Sequence, residues 1–197
     1  LINHSIDKAL ESNLFKKIVI VISKKYKKYF KKYKNKKILI VNGGKERKDS
    51  SINALKRIKK FNPKNVLIHD AARPNFSIKL LKALTNNVKK YKAAIPVISS
   101  NDSIKYKIKN QIFNLERDKS FLTQTPQAFS YKKLYKLAIK QKKNITDEAT
   151  LFVNNNCKIK FIPGENLNKK ITYIDDIKSP KTHYGIGFDI HKLTKNK

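Results

Sequence analysis

Asn65-Val66-Leu67-Ile68-His69-Asp70-Ala71-Ala72-Arg73-Pro74 decides the fold. Val66, Leu67 and Ile68 are apolar without alternation, as in a strand buried on both faces. His69 and Asp70 end the run, and Pro74 prevents its continuation. Outward from it the same grammar repeats. Residues 17–22 and 37–41 are β-branched runs, the second closed by Asn42-Gly43-Gly44. Asp49-Ser50-Ser51 reads as a helix start, with Ile52, Leu55 and Ile58 on one face. Downstream, Ser77 reads as the cap of a helix carrying Ile78, Leu80, Leu81 and Leu84, and residues 93–97 form a fourth strand. An opening helix carries Ile6, Leu10 and Leu14, and residues 24–36 read as a Lys/Tyr-rich helix or loop.

Short buried strands alternating with helices specify an α/β fold, a doubly wound and mostly parallel sheet covered on both faces. In such sheets ligands bind at the carboxyl ends of the strands. Those ends here are residues 42–44, 69–73 and 97–103. Beyond residue 97 the pattern changes. Residues 103–109 and 111–115 flank Asn110 and read as a projecting two-stranded arm, a natural dimer contact. Residues 121–129 read as irregular, 131–140 as a helix, and Thr146 as the N-cap of another helix. Residues 158–162 read as a strand, 170–172 as a short extended piece, and Asp175-Asp176 as a last helical turn.

The composition narrows the function class. The chain has 197 residues, a net charge of +32, a single cysteine and no Met. A disulfide scaffold is excluded, and no apolar run approaches the ~18 residues needed to span a bilayer. No signal peptide is legible at residues 1–10, so a cytoplasmic protein is expected. The charge invites a nucleic-acid partner. Against that, only Arg47, Arg57, Arg73 and Arg117 are arginines, while lysines are spread along the chain with Asn and Ile, residues of A/T-rich codons. Compositional drift explains this better than selection for phosphate forks, so no specific nucleic acid is expected, although a basic nucleic-acid-binding protein stands as the alternative. Where Arg persists in such a chain, its fork geometry is needed.

Several constellations can carry chemistry. Asp70 and Arg73, three apart at a strand end, suit a divalent cation and a phosphate. Gly43-Gly44 before Ser50 offers exposed backbone N–H groups and a hydroxyl to a nucleotide, with the Glu46/Arg47 pair read as solvated. His69 reads as a satisfied core histidine, and Cys157 has no ligand partner for zinc. Asp189 and His191, two apart in a Gly-rich apolar stretch at residues 185–191, face one way and could share a metal.

Taken in order, these pieces resemble the 2-C-methyl-D-erythritol 4-phosphate cytidylyltransferase family over residues 1–178. The carriers are residues 69–74, Gly43-Gly44 through Ser50, Asp102-Ser103, Arg117, residues 125–129, residues 146–149 and residues 170–172. The resemblance implies a nucleotide-diphospho-sugar transferase-like fold that moves CMP from CTP to methylerythritol phosphate with Mg²⁺. A cytidylyltransferase for another polyol phosphate is the nearest alternative. It further implies that Gly43, Gly44, Ser50 and Ala71 bind the nucleotide, and that Asp70 holds the metal and acts with Lys170 at the reaction centre. Arg73, Ser103 and Thr125 would hold the acceptor or the phosphoryl group, and Arg117 would reach the substrate of the other subunit of a homodimer through the arm.

Residues 185–191 are similar to the first strand of 2-C-methyl-D-erythritol 2,4-cyclodiphosphate synthase, a lyase. That likeness implies a linker at 179–183, a second domain from 184, and Zn²⁺ or a similar divalent metal on Asp189 and His191. It implies a bifunctional parent protein. The family's first strand and Gly-rich triphosphate loop have no counterpart before Leu1. Lost phosphate donors lower rates by roughly 10²–10³ each, so this chain by itself is expected to be inactive. A pyrophosphate-release assay should find no robust turnover by residues 1–197 alone.

Overall fold

The computed structural model describes residues 1–30, 33, 35–141 and 145–176. The chain opens with helix α1 (Ile2–Glu11) and strand β1 (Ile18–Ile22), followed by a 3-10 segment (Lys24–Phe30) and strand β2 (Ile38–Asn42). Helix α2 (Arg47–Ile58) and β3 (Asn65–Ile68) come next, then α3 (Ile78–Lys90) and β4 (Ala93–Ser99). The arm is β5 (Lys105–Ile108) with β6 (Gln111–Asn114). Strands β7 (Phe121–Thr123) and β8 (Gln127–Ser130), helices α4 (Tyr131–Lys140) and α5 (Ala149–Val153), and β9 (Ile159–Pro163) complete it.

Side-chain parity sorts the helices onto two faces, as expected where successive residues of a strand point oppositely. From β1 and β2, Ile20, Ile22, Ile38 and Ile40 pack with Ile6 and Leu10 of α1. The intervening Val19 and Leu39 join Leu55 and Ile58 of α2 on the other side. Farther along, Ala93, Ile95 and Phe129 face α2, α4 and α5, whereas Ala94, Ala128 and Ile162 face α3. This is the doubly wound arrangement that the uninterrupted apolar strands required.

β1 and β2 pair in parallel, Ile18 opposite Ile38. β4 pairs in parallel with β9, and β8 runs antiparallel to both β3 and β4. Strands β3, β4 and β9 therefore share one direction, and β7 with β8 is the reversed element. Among the described residues β1–β2 and the five strands around β4 are separate ladders, so β1 and β3 are not hydrogen-bonded to each other. Helix α2 covers both, since Leu55 and Ile58 belong to one core with Val19, Leu39, Val66 and Ile68.

Local chemistry fixes the helix starts. Ser77 Oγ accepts from Leu80 N at 3.0 Å, the expected cap of α3, and Lys89 and Lys90 in its last turn complement the helix dipole. The start of α2 is two residues earlier than Asp49 suggests, because Asp49 reaches back to accept from Glu46 N at 3.2 Å. The N-cap of α5 is Glu148 rather than Thr146, and the residue before it, Asp147, accepts from Thr150 N through Oδ1 at 3.0 Å. The stretch read as irregular at 121–129 is two strands, β7 and β8, separated by Gln124, Thr125 and the cis-linked Pro126. The arm is a tight hairpin with Lys109 at φ 51°. It stacks Tyr106 on Phe113 at 5.2 Å and leaves Ile112 70% exposed.

Leu84 is fully buried in the α3 layer. Leu84→Ala should lower the unfolding free energy by about 2–5 kcal/mol, shifting the urea midpoint with little change in slope. Ile112→Ser on the arm should change a monomer's stability by about 0.5 kcal/mol or less, because that side chain is mostly exposed.

Candidate active site

The site gathers at the carboxyl end of β3. The apolar strand stops at His69, and the turn that follows is closed by Arg73 N donating to Asp70 O at 3.0 Å. Asp70 N donates to Thr125 Oγ1 at 3.0 Å. Thr125 Oγ1 lies 3.2 Å from His69 Nδ1, and His69 Nε2 lies 3.3 Å from Ser5 Oγ. Either neutral tautomer satisfies both contacts, and the one with Nδ1–H donating to Thr125 and Nε2 accepting from Ser5 leaves the Thr125 hydroxyl its hydrogen for a ligand. His69 also packs edge-on to Phe76 at 4.6 Å. It is the satisfied core histidine that its position suggested, and it holds the Thr125 hydroxyl in place under Asp70.

A loop from β9 closes over this turn. Ile171 N donates to Ala72 O at 2.8 Å, which brings Lys170 Nζ to 3.7 Å from Asp70 Oδ2. Asn168, fully buried, donates Nδ2 to Thr125 O at 2.9 Å, and its main-chain oxygen accepts from Arg73 Nη1 at 2.9 Å. Gln124 ties the same loop down through Glu165 N and O, at 2.9 Å each. A Cβ on Gly164 would lie 2.6 Å from Gln124 Oε1 and 3.0 Å from Val97 O, so a side chain there would displace Gln124 from the loop. Among the described residues, three buried side-chain atoms find no hydrogen-bond partner: Arg73 Nε, Gln127 Oε1 and Asn168 Oδ1. Burial lowers the Arg73 pKa against the opposing pull of Asp70.

From the other ladder, Gly43-Gly44 turns into α2. Gly43 N donates to Ile22 O at 2.9 Å and Gly44 N to Ser50 Oγ at 3.0 Å. These N–H groups are engaged rather than exposed as the sequence suggested, because the turn folds back on its own helix. A Cβ on Gly44 would lie 2.1 Å from Asp49 Cβ, so only glycine fits.

The reading of Arg47 as solvated needs correction. Its Nη1 and Nη2 donate to Glu148 Oε1 and Oε2 at 2.8 and 2.7 Å. Ser51 Oγ donates to Glu148 Oε1 at 2.7 Å. Glu148 is 2% exposed as a side chain, which is why its charge needs this fork. Burial works against the Arg47 charge, but Glu148 outweighs it and raises the pKa. Arg47 Nη2 also lies 3.9 Å from Asp70 Oδ1. The adjacent Asp147 accepts from Gln127 Nε2 at 3.1 Å and Thr123 Oγ1 at 3.3 Å. Burial alone would raise its pKa, but these bonds and those from Thr150 hold it below the ordinary value.

Asp70, Arg73, Thr125, Lys170 and Ala71 thus converge on one turn, with Gly43, Gly44 and Ser50 at the neighbouring one. Ser103 and Arg117 do not join them by hydrogen bond or ion pair. Ser103 Oγ accepts from Lys105 Nζ at 3.0 Å at the base of the arm, and Arg117 lies in the exposed 3-10 turn after it. Asp189 and His191 lie outside the described residues. Sequence reasoning missed Arg47, Ser51, Glu148 and Asn168 as site-forming residues. The scarcity of Arg was the available signal for Arg47; nothing local announces Asn168.

Among the described residues no three His, Cys, Asp or Glu gather as a metal cluster. Asp70 nonetheless fits a hard cation. Its two carboxylate oxygens make only the long pairs at 3.9 and 3.7 Å, whereas those of Glu148 and Asp147 are consumed by hydrogen bonds. One carboxylate plus substrate phosphates is a common Mg²⁺ environment. No helix among the described residues is long and apolar enough to cross a membrane.

Comparison with known proteins identifies the family. The family profile of 2-C-methyl-D-erythritol 4-phosphate cytidylyltransferase (IspD) matches residues 1–183. The bifunctional enzyme IspD/IspF of Pelagibacter ubique is 52% identical over the whole chain, which spans 53% of that relative. The cytidylyltransferase of Thermosipho melanesiensis is 35% identical over 90% of the chain and 82% of its own length. The crystal structure of 4-diphosphocytidyl-2C-methyl-D-erythritol synthase from Anaerococcus prevotii superposes with TM-score 0.81 at 30% identity, covering 89% of this chain and 82% of that one. The bifunctional IspDF of Campylobacter jejuni gives 0.76 at 29% identity, over 89% of this chain and 45% of that one. The chain spans about half the length of its bifunctional relatives.

The His69 pKa is lowered to about 4, chiefly by burial, with Asp70 pulling the other way. Above pH 6.5 the ring is neutral folded and unfolded, and its titration contributes nothing. As pH falls from 6.5 towards 4 only the unfolded chain takes the proton, so stability falls, by about 3 kcal/mol in all. Urea titrations of the metal-free protein between pH 7 and 4 should show that slope, and His69→Gln should flatten it.

Proposed function

The chain belongs to the 2-C-methyl-D-erythritol 4-phosphate cytidylyltransferase family, and from that premise we propose that it forms the cytidylyl-transfer unit of a longer, bifunctional protein. One observation carries the reading: Asp70 has Lys170 at its carboxylate, the Arg73 charge beside it and the Thr125 hydroxyl on its main-chain N–H, with Arg47, at the start of the helix after the Gly43-Gly44 turn, 3.9 Å from it. A phosphate oxygen of methylerythritol phosphate attacks the α-phosphorus of CTP. A P–O bond forms there, the bond to the β-phosphate breaks, and pyrophosphate leaves with the electron pair. Such transfers depend on positioning and charge neutralisation more than on a general base.

In this reading the Gly43-Gly44 turn, Ser50 and Ala71 hold the nucleotide. Arg73, whose buried Nε has no protein partner, Thr125 and Ser103 hold the acceptor phosphate, and Lys170 neutralises charge at the transferring phosphoryl group. Mg²⁺ on Asp70 would neutralise further phosphate charge. The arm's exposed Ile108, Ile112 and Phe113 support a homodimer, through which Arg117 reaches the partner's acceptor. Residues 1–178 form the transferase domain and 179–183 a linker. Residues 184–197 begin a cyclodiphosphate synthase domain with Asp189 and His191 on a divalent metal, Zn²⁺ or similar, a reading supported by the bifunctional relatives. A cytoplasmic protein is the reading that fits CTP as a substrate.

Pyrophosphate release by the full-length protein tests this. Methylerythritol phosphate should be used in preference to ribitol phosphate, and Lys170→Ala and Arg73→Ala should each lower kcat/KM by roughly 10²–10³. No release from CTP, or a preference for ribitol phosphate, would overturn the assignment.

A further inference from the structure

We propose that Arg47 and Glu148 are a positioning pair for this reaction: together they fix the Asp70 carboxylate relative to the nucleotide turn. The inference rests on the cytidylyl-transfer reading above and adds residues to which the sequence assigned no role.

Asp70 stands between two cations of different character. Lys170 is 51% exposed, carries a flexible stem and approaches Oδ2. Arg47 approaches Oδ1 with both Nη groups already committed to Glu148, so its guanidinium has a single orientation. Glu148 is locked in turn by Ser51 Oγ, one turn further along the same helix. Arg47 is also the first residue of α2, directly after the turn built by Gly43, Gly44 and Ser50. One rigid guanidinium therefore ties the nucleotide turn on one ladder to Asp70 on the other, across the place where the sheet is divided.

The pair touches no reacting atom and acts through Asp70. Loss of an orienting partner of this kind lowers metal affinity or activity by roughly 10–100-fold. The test uses the full-length protein with CTP, methylerythritol phosphate and a Mg²⁺ titration. Arg47→Lys keeps the charge and removes the fork; Glu148→Gln keeps the shape and removes the charge. Leu134→Ala, in the α4 core away from the site, serves as a control for destabilisation alone. Both pair variants should lower kcat by about 10–100-fold and raise the Mg²⁺ concentration for half-maximal rate. The control, assayed below its own Tm, should do neither. If Arg47→Lys and Glu148→Gln are folded at the assay temperature and retain wild-type kcat and Mg²⁺ dependence, the pair is structural and the proposal fails. If the wild-type protein itself releases no pyrophosphate, it is the cytidylyl-transfer reading that fails instead.

Discussion

A carboxylate as deeply buried as Glu148 cannot stand alone. The desolvation of such a charge is offset only by a partner with matching geometry, and removing that partner costs on the order of 3–5 kcal/mol. Arg47 supplies it from the far ladder. This requirement joins α2 to the start of α5, and with it the Gly43-Gly44 turn to the strand end that carries Asp70. The apolar packing of Leu55 and Ile58 across both ladders brings the elements together without specifying a register; the two-pronged ion pair does specify one.

The strand–helix alternation was legible because its cause is local. Residues 38–41 and 66–68 admit no polar face, and Ser77 announces the start of α3. Strand pairing was less so. Residues 121–129 look irregular because Thr125 and Pro126 interrupt what the two neighbouring ladders treat as consecutive strands. Only β3 and β4, distant in sequence, reveal Gln127 to Ser130 as a strand. The helix starts at Arg47 and Ala149 were misplaced for a related reason. An acidic residue inside or just before the first turn caps as well as one at the expected position.

The site divides in the same way. Asp70 and Arg73 stood out because a strand end and a scarce arginine draw attention, and Lys170 was named only through the family resemblance; the fold brings all three to one turn. The supports did not stand out. Asn168 is an ordinary loop residue until its side chain is found beneath Thr125 and its carbonyl on Arg73. Glu148 lies within a quoted motif, yet its burial depends on a helix a hundred residues away. What a motif holds is local; what holds the motif is tertiary.

The exposed apolar arm on a chain of net charge +32 has a consequence for solution behaviour. Two such chains repel one another strongly before their hydrophobic faces meet, and dissolved ions weaken that repulsion. A contact between two such arms would therefore strengthen as ionic strength rises. Contacts between the same lysines and a polyanion have the opposite slope, because salt competes for the counterions that binding releases. A buffer change alone would thus move two such modes of association in opposite directions.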